Sequence, residues 1–94
     1  MKRVYKYPLR VNDRQIVKLP KGAEILSVQI QRGDICLWAL IDTSVKETND
    51  VAIRIHGTGH DIEYDGNLKF IGTVQMLLGD IVFHIFEEIK EQQQ

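Results

Sequence analysis

The chain has 94 residues, 44% of them apolar and 27% charged, and a net charge of −1. That length holds one small core and leaves no material for a second, and the composition is globular rather than disordered. No run nears the roughly 20 apolar residues of a helical membrane span, and the lone Cys36 excludes an internal disulfide or a cysteine zinc cage.

The basic start, Met1-Lys2-Arg3, leads into no apolar signal stretch, so a cytosolic setting is expected. Charge is unevenly spread. Residues 1–22 carry seven basic side chains against Asp13, whereas residues 23–94 carry five against twelve acidic ones. The basic strip has two readings: lysines that solvate an edge hairpin and discourage strand pairing, or a surface that meets phosphates.

The dominant hydropathy period is two, which predicts strands. Arg3 to Tyr7 alternates and stops at Pro8. Arg14 to Leu19 reads as a short strand, closed by the turn Pro20-Lys21-Gly22. Over Ile25 to Gln31 the alternation places Leu26, Val28 and Ile30 on one face and Ser27, Gln29 and Gln31 on the other. Gly33, in Arg32-Gly33-Asp34, supplies the positive φ of a tight hairpin. Ile35 to Ile41 is nearly all apolar and predicts a central strand covered on both faces.

A polar loop is expected over 42–50, a strand from Val51 to His56, a break at Gly57-Thr58-Gly59-His60-Asp61 and a turn at Asp65-Gly66-Asn67. Phe70 to Leu78 and Ile81 to Phe86 predict a last hairpin through Gly79-Asp80. The sum is an all-β fold, a small antiparallel sandwich or partly open barrel of about seven short strands. Residues 1–88 form its single domain, and residues 89–94 are a frayed polar tail.

The segment Arg54-Ile55-His56-Gly57-Thr58-Gly59-His60 carries the clearest chemistry. Arg54 and His56 leave a strand on one face, Thr58 adds a hydroxyl, and Gly57 and Gly59 let a ligand approach the backbone N–H groups. Such a loop can cradle an anion, or it can be a wide turn. It is no Walker loop and no dinucleotide fingerprint, since no helix follows.

His56 and His60 are four apart, but on a strand and turn rather than on one helical face, and a zinc site with His84 would need three or four converging ligands, so no metal and no cofactor is expected. His84, between Phe83 and Ile85, reads as a hydrogen-bonded structural residue. His56-Gly57-Thr58 is half of a paired phosphodiesterase motif whose second half is missing, and a thiol in an apolar strand is inert. A non-enzyme is therefore expected, with no catalytic residues. The phenylalanines and Trp38 suit the core. Tyr5 and Tyr7 share a strand face with Arg3, which suits core packing or a stacking platform beside a cation.

The strings Tyr5-Lys6-Tyr7-Pro8-Leu9, Leu19 to Gln29, Cys36-Leu37-Trp38-Ala39-Leu40, Gly57-Thr58-Gly59-His60, Phe70 to Gln75 and Val82 to Glu87 together resemble a family of small bacteriophage proteins, the anti-CBASS sponges. Asp61 departs from the proline usual after Gly-His in that pattern. The resemblance implies a homotetramer in the cytoplasm of an infected bacterium. It would bind a cyclic dinucleotide or related nucleotide second messenger and withhold it uncleaved, with no membrane and no DNA or RNA polymer as partner. Chemistry alone nominates the ligand contacts: Arg3, Tyr5, Tyr7, Trp38, Arg54, His56, Gly57, Thr58, Gly59 and His60. Two alternatives stay open, a protein-interaction module that binds a host protein through a sheet edge and a hydrolase of a nucleotide signal.

Overall fold

The structure is a computed structural model that describes residues 1–89. Seven strands follow in chain order: β1 (Lys2–Pro8), β2 (Arg14–Pro20), β3 (Glu24–Gln31), β4 (Asp34–Asp42), β5 (Thr48–Gly57), β6 (Leu68–Met76) and β7 (Ile81–Glu88). They build two antiparallel sheets, of order β1-β4-β3 and β2-β5-β7-β6. The all-β expectation holds. The expected tail over 89–94 falls, beyond Ile89, outside the described residues. Ile89 itself donates its N–H to the Asn67 carbonyl at 2.7 Å.

The core lies between the sheets. Ile35 and Leu37 of β4 with Val28 of β3 meet Ile53 and Ile55 of β5, Ile85 of β7 and Val74 of β6. β3 lies against β6, and the contact is close: a β-carbon on Gly72 would stand 2.8 Å from Val28 Cγ1. The Cα envelope is only 16 Å thick, two sheets deep, so alternate side chains of every strand face outward.

Several sequence expectations move. The polar loop after β4 is shorter than expected, because Thr48, Asn49 and Asp50 pair with Pro20, Leu19 and Lys18 of β2 and start β5 early. In β3 a bulge between Ile25 and Ser27 shifts the alternation, so Ile25 packs on the core and Leu26 stands half exposed. β4 is central in its sheet, with Cys36 buried on its outer side but Trp38 and Leu40 only partly covered.

β1 and β2 do not form a hairpin. They are edges of different sheets, so the basic strip is divided. Part of it is neutralised, through Arg14–Glu88 at 2.7 Å and Lys18–Asp50 at 2.9 Å.

The last hairpin turns earlier than Gly79-Asp80. Pairing of Met76 with Ile81 leaves residues 77–80 as the connection, and Leu77 and Leu78 fall in it instead of in a strand. Leu77, Leu78 and Gly79 all take positive φ, at 51°, 56° and 89°.

The phenylalanines are not all core. Phe83 packs against the core from β7, Phe70 is 54% exposed, and Phe86 is buried on the outer face of the four-stranded sheet. There Tyr64, from the segment between β5 and β6, stands edge-on to Phe86 at 6.1 Å.

Candidate functional site

The outer face of the four-stranded sheet gathers the polar residues that the sequence singles out. Cross-strand register sets Arg54 opposite Phe86 and His56 opposite His84, while Thr73 of β6 flanks His84 on its other side. Alternation puts all of these outward because Ile53, Ile55 and Ile85 take the inward positions.

Beyond β5 the chain turns at once. The His60 N–H donates to the Gly57 carbonyl at 3.2 Å, and Gly59, third in that turn, holds φ at 86°, as a type II turn requires. The turn folds the His60 ring back over Gly57, where a β-carbon would lie 2.9 Å from the imidazole. The Thr58 N–H donates to the Val82 carbonyl at 3.3 Å. Two amides of the expected anion cradle are thus spent inside the fold, and the cations and the hydroxyl remain.

His84 sits between two hydroxyls. Its Nε2 lies 2.8 Å from Thr58 Oγ1 and its Nδ1 lies 2.9 Å from Thr73 Oγ1. A neutral imidazole meets this demand by donating from one nitrogen and accepting at the other.

His56 is partly buried beside the Phe86 ring, 5.8 Å away and edge-on. Burial, and next the Arg54 guanidinium, push its pKa below the ordinary 6.5; Asp13 acts the other way, and His60 and His84 add to the lowering. Its Nε2 is buried with no hydrogen-bond partner, and so is Nε of Arg54. The Arg54 Nη1 reaches Glu88 at 3.4 Å, while Arg14 holds the same carboxylate from Nε at 2.7 Å and from Nη2 at 3.2 Å. These contacts hold the Glu88 carboxyl below its usual range, the Arg14 hydrogen bond foremost. Glu63 and Asp65 share with Arg54 and Glu88 a surface cavity of about 210 Å³.

The site therefore brings together Arg54, His56, Gly57, Thr58, Gly59 and His60. It does not include the other four candidates. Arg3, Tyr5 and Tyr7 pair with Ile41, Ala39 and Leu37 on the inward side of the three-stranded sheet. Tyr7 packs on the core there, and its phenol is pushed up by burial and then by Tyr5. Trp38 is half-buried on the opposite side of that sheet, with the Lys6 ammonium 6.0 Å from its ring centre.

Sequence reasoning missed His84, Thr73, Glu88, Tyr64 and Phe86 as parts of this face. The alternation of Val82 to Phe86 does place His84 and Phe86 opposite Ile85. Only the β5–β7 register shows that the face is shared with His56. Among the described residues, no group of three histidine, cysteine or acidic side chains converges as a metal site.

No curated protein and no solved structure matches the chain. A family model does, over residues 1–94: the chain belongs to the family described as a domain of unknown function (DUF7352).

Proposed function

We propose that the protein is a binding protein for a small nucleotide anion of the cyclic-dinucleotide type, which it sequesters at the outer face of the four-stranded sheet without cleaving it. In this reading it acts as a viral immune-evasion sponge in the cytoplasm of an infected bacterium. The supporting observation is the pair of unused nitrogens, Arg54 Nε and His56 Nε2, side by side on β5. A buried polar atom without a partner is costly, and a ligand that supplies one removes that cost. Phosphate oxygens and base edges both offer acceptors to a guanidinium, and the exposed rings of Tyr64 and Phe70, each edge-on to the buried Phe86, supply flat apolar surface for a base. Glu88 is the competitor that an anion must displace from Arg54.

One observation favours a second reading, hydrolysis of the bound nucleotide. Thr58, His84 and Thr73 form a hydroxyl–imidazole–hydroxyl chain. This is the arrangement of a nucleophile, a base and a group that orients the base. In it the Thr58 hydroxyl passes its proton to Nε2 while Nδ1–H donates to Thr73.

One experiment separates the two. The protein is incubated with cyclic dinucleotides, cyclic ADP-ribose isomers and linear controls, and both its melting temperature and the recovered nucleotide are measured. A sponge melts higher, in step with RT ln(1 + [L]/Kd), and returns the ligand intact. Arg54→Ala and His56→Ala abolish that rise while the unliganded fold persists. Turnover that disappears in Thr58→Val establishes the second reading instead. A flat response to the whole panel overturns both.

A further inference from the structure

The cavity of about 210 Å³ beside Arg54 has walls of mixed charge. The Arg54 guanidinium faces three carboxylates there, Glu63, Asp65 and Glu88, next to the buried Leu68. Two of the carboxylates are engaged. Glu88 accepts from Arg14 and from Arg54, and Asp65 Oδ1 accepts the Asn67 N–H at 3.2 Å. Glu63 is exposed and makes no hydrogen bond or ion pair among the described residues.

Arg54 is only half engaged. Its Nη1 reaches Glu88 at 3.4 Å, and its Nε has no partner. Nε and Nη2 form one edge of a guanidinium, the edge by which Arg14 grips Glu88. At Arg54 that edge is left for two acceptors.

The carboxylates disfavour a phosphate in this cavity, so the part of a nucleotide that fits it is a base. The base has to offer two donors to a carboxylate and two acceptors to a guanidinium. Guanine alone does both: N1–H and the N2 amine lie side by side on one edge, O6 and N7 on the next. Adenine would set its N1 lone pair against the carboxylate and its amine against the guanidinium. Cytosine has one donor group, and the single ring N–H of uracil or thymine lies between two acceptors. An enclosed cavity of roughly 150 Å³ accepts a benzene ring, so this larger, open one admits the leading edge of a purine. The exposed ring of Tyr64 stands between Glu63 and Asp65 in sequence and gives the base a surface to stack on. His56 lies two residues along β5 on the same face, about 7 Å away at roughly 3.3 Å per residue, and the His60 ring lies over Gly57 beyond it. One ribose bridges that gap, with the base at the Arg54 end and the phosphate at the histidine end.

We infer that the Arg54–Glu63 cavity reads guanine, so that the ligand class of this face is a guanine nucleotide. The inference rests on the sequestration reading and narrows it.

Titration calorimetry on the whole protein compares cyclic di-GMP with cyclic di-AMP, which share riboses and phosphates and differ only in their bases. Wild type is expected to hold the guanine ligand tighter by on the order of tenfold to a hundredfold, the discrimination of one two-toothed contact. Glu63→Gln keeps the shape of the side chain but turns an amine toward the guanine donors. It is expected to remove most of that ratio and to leave the melting temperature of the unliganded protein where it was. A ratio near one in wild type, or a ratio that survives Glu63→Gln, overturns this inference and leaves sequestration standing. Binding of neither ligand overturns it as well, and only a flat response to the wider nucleotide panel takes the sequestration reading with it.

Discussion

Gly72 has no space for a side chain, since Val28 Cγ1 already occupies the place of its β-carbon. Its role is close approach: it lets β6 pack on β3. Neither neighbour can yield easily, because Val28 is 7% exposed and belongs to the core. Gly72→Ala is expected to destabilise the fold by about 1–3 kcal/mol, the usual cost of overpacking. In urea unfolding, the double variant with Val28→Ala should recover part of that loss, because the smaller side chain makes room for the methyl. Gly57 is a different case. Its β-carbon would meet only the His60 ring, a side chain free to swing aside. At this scale the sequence was legible where a residue's meaning is local. Arg54 and His56 share a face because strands alternate, and Gly33 turns the chain because it takes φ of 85°. His84 is hydrogen-bonded, as its place on a strand implies, but its two threonine partners, 26 and 11 residues away, were not legible.

Strands were legible as elements because period-two hydropathy is their own property, and the bounds of each expected strand lie within three residues of an observed one. Where they misled, a partner decided. Leu26 leaves the inward row because β3 must bulge to keep register with β4. Leu77 and Leu78 leave β6 because Val74 and Phe83 are paired and the hairpin has to close beyond Met76 and Ile81. β propensity alone would have kept both leucines in the strand. Their left-handed conformation costs roughly 1–2 kcal/mol per residue for an L-amino acid, and glycine adopts it freely. Leu78→Gly should therefore raise the urea midpoint in dilute solution by an amount corresponding to about 0.5–1 kcal/mol. An ordinary exposed strand leucine changed to glycine would shift it the other way.

At the scale of the molecule, the hydrogen bond that spans most sequence among the described residues is made by Glu88, which binds Arg14 74 residues away and also meets Arg54. It fastens the edge strand β2 and its neighbour β5 to β7. Glu88→Gln should lower stability by about 1 kcal/mol, the scale of a two-toothed surface ion pair, and added salt should shrink the difference between variant and wild type. The folded carboxyl has a pKa below its ordinary 4.5. Its contribution is complete above pH 4.5 and fades as the pH falls through the lowered value, so the two unfolding curves should converge in acid. The same long reach governs how the chain assembles itself. It crosses from the three-stranded sheet to the four-stranded one after β1, returns after β2 and leaves again after β4. The three-stranded sheet has all its strands once Asp42 is made, though β2, a strand of the other sheet, lies between them in sequence, and the four-stranded sheet needs β7. A nascent chain on the ribosome can thus close the β3–β4 hairpin and add β1 early, but that layer must wait for nearly the last residue of β7, which joins β5 to β6, before the sheet that covers it is complete.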